Sequence, residues 1–330
     1  MVLPRVVHYA HHGGSGHVRH ARRFAELGLA EVTVVGTAVG SLADVADVRV
    51  LPPDDAGDHT QAPESLLHWT PRDDLTRERF SVFHAVLDDV RPDLVIVDVS
   101  VEAALFARLA GYRVVHRRMP GRRDDVAHRL VYAESEALFA FHPLVLDPGF
   151  EFGDKTVSLG LPDPGLPDGL AEPGAVVVLG GFGGASVTAG ALADAAAASP
   201  DLTFHVLGPV EADGLPSSVH LHGAVDDVRP WLARADVIVT TAGTNALADA
   251  AAARRPVVVV PEPRPFDEQE MLAAALADVA QVVVAQPGAA WSELVEDARD
   301  RGGDVLAAAL LVSPTTHRAR SATLLERALS

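Results

Sequence analysis

Cysteine is absent from the chain. That excludes disulfides, thiolate nucleophiles, iron–sulfur clusters and cysteine-held zinc. Aromatic residues are scarce, at 5%. Much of the apolar content is alanine and valine, which favours helices and buried strands over an aromatic platform for stacking sugars. Positive charge is in short supply: 27 Lys+Arg stand against 45 Asp+Glu, a formal net charge of -18. Such a surface does not neutralise duplex phosphates, so nucleic acid is not an expected partner. Nor does overall charge draw the protein to an anionic membrane. No apolar run approaches the roughly 18 residues of a membrane span. The start, MVLPRVVHYAHHGG, has no charged n-region, no long apolar h-region and no small-residue cleavage site. A cytoplasmic location is therefore expected, with peripheral membrane contact through an apolar patch left open. Two metal signatures are also missing, the D-x-D pair and the H-E-x-x-H zinc pair.

What is present is an ordinary globular composition, 48% apolar and 22% charged over 330 residues. At roughly 150 residues per domain, about two domains are expected. Short Val-rich runs alternate with Ala/Leu-rich stretches. Arg5–Tyr9, Val32–Gly36, Asp47–Leu51, Leu94–Asp98, Arg113–His116 and Ala137–Phe141 are mostly apolar rather than alternating. Strands covered on both faces of a parallel sheet read this way, so the class is α/β. Residues 1–150 form the first expected domain. Four prolines between 148 and 167 mark 151–172 as a linker. A second series, 173–312, starts with Ala175–Leu179 and continues through Leu202–Leu207, Val219–His222, Asp236–Thr240, Pro256–Val260 and Gln281–Ala285. Ser313-Pro314 reads as an N-cap and first helical turn, so 313–330 is expected as a last helix running to about Arg327. The expectation is two Rossmann-like domains facing each other across a cleft, with ligands at the carboxyl ends of strands.

Glycine-rich turns follow the first strand of each half. His11-His-Gly-Gly-Ser-Gly-His17 allows close ligand approach at Gly14, Ser15 and Gly16. His17 falls at a helix start, where the positive helix end favours the neutral, base-competent imidazole. The bland alternative is a strand–helix turn with a satisfied histidine. His8, His11, His12, His17 and His20 crowd this region, yet no acidic ligand is nearby in sequence, so metal is not the expected occupant. Gly180-Gly-Phe-Gly-Gly-Ala-Ser186 follows the strand Ala175–Leu179, with a helix expected near Ser186. Backbone N–H groups of Gly181, Gly183, Gly184 and Ser186 suit a diphosphate. Asp236–Asn245 ends a strand in small residues, offering further donors at Gly243, Thr244 and Asn245, with Asp249 placed to reach a ribose hydroxyl. Pro261–Glu270 ends another strand, and Asp267, Glu268 and Gln269 suit a polyhydroxyl ligand. The bland readings here are packing turns and acidic helix starts.

These motifs, in this order, resemble those of the GT-B glycosyltransferases, and most closely the lipid II-forming N-acetylglucosaminyltransferase family of peptidoglycan synthesis. His12–His17 is similar to the family's G-G-T-G-G-H loop with one glycine fewer, and Gly180–Ser186 to its G-G-S-x-G loop. Gly223–Val228 with Ala235–Thr244 resembles the base and phosphate segment, and Pro256–Pro261 with Asp267–Gln269 the donor-sugar segment. The resemblance implies a UDP- or dTDP-sugar in the C-terminal domain and an acceptor in the N-terminal one. It also implies a last helix that returns to the N-terminal domain. On that reading the backbone at Ala224 and Val225 meets the base, while Gly183, Gly184, Thr244 and Asn245 meet the diphosphate. Asp249 meets the ribose, Glu268 and Gln269 face the sugar, and His17 is the candidate base. Asp98 and Glu102, at another strand end, orient His17 or replace it.

Departures bear on the acceptor. Asp249 stands for a glutamate and Leu272 for a frequent asparagine. His116-Arg-Arg-Met-Pro-Gly-Arg-Arg123 replaces a Glu-Gln-Asn turn, which points to a different acceptor. Arg117, Arg118, Arg122 and Arg123 suit an anionic acceptor or a clamp on the diphosphate. A solvated loop paired with Asp124 and Asp125 is the alternative. The expected reaction is inverting sugar transfer to a hydroxyl or amine of a small acceptor, without metal or other cofactor. The alternatives are a sugar-nucleotide 2-epimerase or hydrolase of the same fold, and a non-catalytic nucleotide-sugar-binding subunit.

Overall fold

A computed structural model gives the fold. It describes residues 2–11, 15–53, 73–165, 169–180, 187–210, 212–285 and 290–330, with Ser15 by its backbone alone. The chain divides into two compact units. One comprises Met1–Ala140, Gly149–Leu159 and Thr315–Ser330, the other Phe141–Pro148 and Gly160–Pro314.

The first unit holds seven strands: β1 (Arg5–Ala10), β2 (Glu31–Gly36), β3 (Asp47–Val50), β4 (Leu94–Asp98), β5 (Val114–Arg117), β6 (Ala137–Ala140) and β7 (Thr156–Ser158). They form one sheet in the order β3-β2-β1-β4-β5-β6-β7. Every pairing is parallel. Helices α1 (Ser15–Glu26), α2 (Asp74–Val90), α3 (Val101–Leu109) and α4 (Val126–Glu134) connect successive strands. The apolar runs of the sequence are buried on both sides of this sheet, as a parallel sheet requires. Val7, Tyr9, Val95 and Val97 pack with Phe83, Leu87 and Ala104, while Ala10 and Val34 pack with Ala21 of α1.

The second unit repeats the plan. It holds β8 (Leu161–Pro162), β9 (Ala175–Leu179), α5 (Ala189–Ala198), β10 (Thr203–Leu207), β11 (Val219–Gly223), α6 (Arg229–Arg234), β12 (Val237–Thr240), α7 (Thr244–Ala252), β13 (Val257–Val259), α8 (Glu268–Ala280), β14 (Val283–Val284), α9 (Trp291–Arg299), α10 (Asp304–Leu310) and β15 (Leu311–Val312). Its six-stranded parallel sheet runs β11-β10-β9-β12-β13-β14. Along β9, Val176 and Val178 join one core while Val177 and Leu179 join the other. The final helix, α11 (Pro314–Leu329), belongs to the first unit from Thr315 onward. Arg113 Nη1 donates to Ala328 O at 2.9 Å and Arg320 Nη1 to Ser158 O at 3.1 Å.

Two expectations need correction. Residues 151–172 are not a plain linker. Thr156–Ser158 is the edge strand β7, and Leu161–Pro162 pairs with Leu311–Val312. The short apolar pieces around Val157, Leu159 and Leu161, all buried, are masked in the sequence by the prolines and glycines around them. The helix after the second glycine-rich turn starts at Ala189, not near Ser186, because Thr188 caps it by accepting the Ala191 N–H at 3.1 Å.

Glycine is required where β10 ends. Gly208 has φ +128°, and a Cβ there would run into the Gly180 carbonyl. Gly180 is the residue by which β9 leads toward 181–186. Gly36, ending β2, presses in the same way on the carbonyl of Ala10 at the end of β1. Gly208→Ala should therefore lower stability by at least the ~1–3 kcal/mol of an unfavourable backbone region, read as a lower urea midpoint.

Candidate active site

Parallel register brings the first group of residues together. Ala10, the last residue of β1, lies opposite Asp98, the last residue of β4. His17 occupies the first turn of α1, shortly after β1. As a result His17 Nδ1 stands 2.6 Å from Asp98 Oδ2 although 81 positions separate them. The other carboxylate oxygen, Oδ1, accepts from Arg117 Nη1 at 2.9 Å. Asp98 is 0% exposed and Arg117 3%. Burial works to raise the Asp98 pKa, but the charges of His17 and Arg117 and the hydrogen bond from His17 hold it well below the usual carboxylate range. An ionised carboxylate only accepts, so Nδ1 of His17 carries a proton, and in the neutral ring the lone pair then lies on Nε2.

The backbone beside Asp98 is unusual. Val99 has φ +89°, rare for a β-branched residue. Its carbonyl accepts from His116 Nε2 at 3.1 Å, which fixes the His116 tautomer with Nε2 protonated. His116 Nδ1 is buried with no hydrogen-bond partner among the described residues. Burial lowers the His116 pKa to about 3. His8 on β1 is similar. Neither ring nitrogen has a hydrogen-bond partner among the described residues, and burial lowers its pKa to about 4. Glu102, in the first turn of α3, is buried and accepts from Ser100 Oγ at 3.1 Å. The structure thus pairs His17 with Asp98, and Glu102 with the helix cap.

The arginine group is not a solvated loop. Arg117 is spent on Asp98. Arg118 is buried, donating to Gly121 O at 3.2 Å with its guanidinium 4.5 Å from the Phe150 ring centroid. Arg123 is buried beside His128, whose Nδ1 lies 2.6 Å from Asp125 Oδ2. Arg122 is exposed. The expectation that Arg117 and Arg118 greet an acceptor is at odds with these internal partners. The Arg117–Asp98 pairing is not legible in the sequence, because it depends on β4 and β5 lying side by side.

In the second unit, Gly243, Thr244 and Asn245 form the start of α7, and Gly243 offers no side-chain cap. The opening turn of a helix is where backbone amides can meet an anion. Asp249 is half-buried on the next turn, Ala224 is exposed and Val225 half-buried in the turn after β11. Asp267 is exposed, Glu268 half-buried and Gln269 buried at the start of α8. Gly14 and the turn residues Gly181, Gly183, Gly184 and Ser186 lie outside the described residues, while Gly16 is in the first turn of α1. Glu262, after β13, went unnoticed in the sequence. It is 3% exposed and pairs with Arg264 Nη2 at 3.0 Å. Among the described residues no cluster of three or more histidine or acidic side chains is disposed to hold a metal ion.

The family model for group 1 glycosyl transferases matches residues 176–314. That stretch is similar to group 1 glycosyl transferases. It begins on the second residue of β9 and contains every donor-side residue expected from the sequence, from Gly181 to Gln269. The whole chain has the GT-B glycosyltransferase fold, as similar solved structures show. The glycotransferase of kitacinnamycin aligns with a TM-score of 0.71 and 18% identity, covering 100% of both chains. Acinetobacter baumannii MurG aligns with a TM-score of 0.58 and 16% identity over 92% of this chain and 96% of its own. The glycosyltransferase VinC, in complex with dTDP, aligns with a TM-score of 0.60 and 17% identity over 98% of this chain and 95% of its own. At these identities the likeness is one of fold. No curated protein matches significantly in sequence.

Proposed function

We propose that the protein transfers a sugar from a UDP- or dTDP-sugar to a hydroxyl or amine of a small acceptor, with inversion and without metal. The observation that carries this reading is the 2.6 Å contact of His17 Nδ1 with Asp98 Oδ2, which leaves Nε2 as the proton-accepting nitrogen of the neutral ring. In the first unit, Nε2 takes the acceptor proton as the acceptor oxygen or nitrogen bonds to the anomeric carbon. The imidazolium formed is stabilised by Asp98, which stays ionised. The bond from the anomeric carbon to the diphosphate oxygen breaks, and its electron pair leaves with the nucleoside diphosphate. Attack opposite the leaving group inverts the anomeric centre.

In the second unit, the amides opening α7 at Thr244 and Asn245, with the glycine-rich sequence 181–186, are the assigned diphosphate donors. Val225 and Ala224 are assigned to the base, Asp249 to the ribose, and Asp267 and Glu268 to the sugar. The dTDP bound by VinC supports a pyrimidine nucleotide.

A thermal-shift screen against UDP-, dTDP- and GDP-sugars tests the donor. A true donor at 100 times its Kd should add about 2.7 kcal/mol of stability. No shift with any of them would sink the reading. NMR of the anomeric product should show inversion. Donor consumption without acceptor would instead select the epimerase or hydrolase.

A further inference from the structure

The carboxyl ends of β12 and β13 are tied together by one side-chain oxygen. Gln269 Oε1 accepts from the Ala242 N–H at 3.1 Å and from the Glu262 N–H at 3.0 Å. Ala242 precedes Gly243, the N-cap of α7, and Glu262 lies in the segment after β13. Gln269 is 5% exposed, Ala242 2% and Glu262 3%. Buried N–H groups need an acceptor, and this oxygen supplies both. A Cβ placed on Gly243 would lie 4.0 Å from Gln269 Nε2, so the amide reaches right up to the opening turn of α7.

Reaching that point requires an unfavourable backbone. Phe266 and Asp267 have φ +65° and +51°, two consecutive non-glycine residues in the left-handed region. Together they turn the chain so that the first turn of α8 directs Gln269 back under the ends of the two strands. Strain kept in place by surrounding structure is a reason to look for a role.

We propose that Gln269 is a positioning residue for the donor rather than a reader of the sugar. Its oxygen fixes the Ala242 backbone against Glu262, and so holds the α7 amides at Thr244 and Asn245 in register for the diphosphate. This rests on the donor site assigned above. The sequence alone favoured a sugar contact, because a polar side chain at a strand's carboxyl end looks the same whether it points outward or folds back.

Gln269→Met keeps the length of the side chain and removes the acceptor. Two measurements test the proposal in the full-length protein. Amide hydrogen exchange at Ala242 and Glu262 should speed up at least tenfold. Calorimetry with UDP or dTDP, and with the matching nucleotide-sugar, should show the same loss for both, about tenfold. Correspondingly, donor KM should rise while kcat stays within about threefold. A loss confined to the sugar-bearing ligand, or unchanged exchange at both amides, overturns the proposal. So does unchanged nucleotide affinity in a variant whose wild-type parent binds the nucleotide. A wild-type protein that binds no nucleotide overturns the donor assignment instead, while the two exchange rates still report on the tie. Gln269→Asn, which withdraws the oxygen by one carbon, serves as a second variant if methionine prevents folding.

Discussion

Asp98→Asn should lower kcat by about 100- to 10,000-fold with donor affinity little changed. The size follows from hydrogen-bond direction rather than from lost charge alone. Arg117 Nη1 can only donate, and it sits 2.9 Å from Oδ1. In the variant, Arg117 therefore claims the amide oxygen and turns the NH2 group toward His17 Nδ1. Nδ1 must then be bare to accept, the proton moves to Nε2, and the imidazole loses its free lone pair where a base is needed. The stabilising negative charge behind a protonated His17 is lost at the same time. Steady-state kinetics of Asp98→Asn, with nucleotide-sugar titration by calorimetry, check this. An activity within tenfold of wild type would remove His17–Asp98 from the reaction.

The protein should lose stability steeply between pH 6.5 and pH 4. His8 and His116 are held neutral by burial, with pKa values lowered from 6.5 to about 4 and about 3. His20 is lowered well below 6.5 by the same cause. In the unfolded chain these rings take up protons as the pH drops below 6.5, and in the folded chain they do not. Stability therefore rises with pH through this window, and the penalty is absent above it. At about 1.36 kcal/mol per unit, His8 and His116 each cost about 2 kcal/mol at pH 5. The His8 penalty stops growing below about pH 4 and the His116 penalty below about pH 3. Asp98 acts in a separate range. Its depressed pKa contributes stability that is fully present above 3.8 and is lost only as pH falls through its lower folded value. Urea midpoints at pH 7 and pH 5 measure the effect. His8→Leu should shrink the difference between them, and an equal difference in that variant would refute the assignment to His8.

Much of the architecture was legible because valine runs and glycine turns are local signals. Apart from β7 and β8, the strands from Arg5 to Val284 fall where the apolar runs do, give or take two residues. His17 was legible too, since a histidine following a glycine-rich turn is placed by the turn itself. What joins His17 to Asp98 was not, beyond the guess that some strand-end acid serves it. That pairing depends on β1 and β4 being neighbours in a particular register, and Arg117 enters only because β5 comes next. Four arginines in seven residues looked like a surface feature. Three of them are buried, because Asp98, the Phe150 ring and the His128–Asp125 pair give them partners drawn from other elements. Gln269 was seen as a sugar contact, and its two backbone hydrogen bonds, to the Ala242 and Glu262 N–H groups, were not legible. The left-handed residues that turn it inward, Phe266 and Asp267, carry no glycine to announce them.

The placement of α11 also sets a schedule. The chain leaves its first unit at Ala140, comes back for residues 149–159, and returns finally at Thr315. On the ribosome, the amino-terminal sheet must wait for its closing helix until all of 160–314 has been made. The first unit has all seven of its strands by Ser158, yet it gains α11 only after the second unit's last strand, Leu311–Val312, has been made. A nascent chain stalled before Thr315 therefore carries a complete second unit and a first unit that still lacks its last helix.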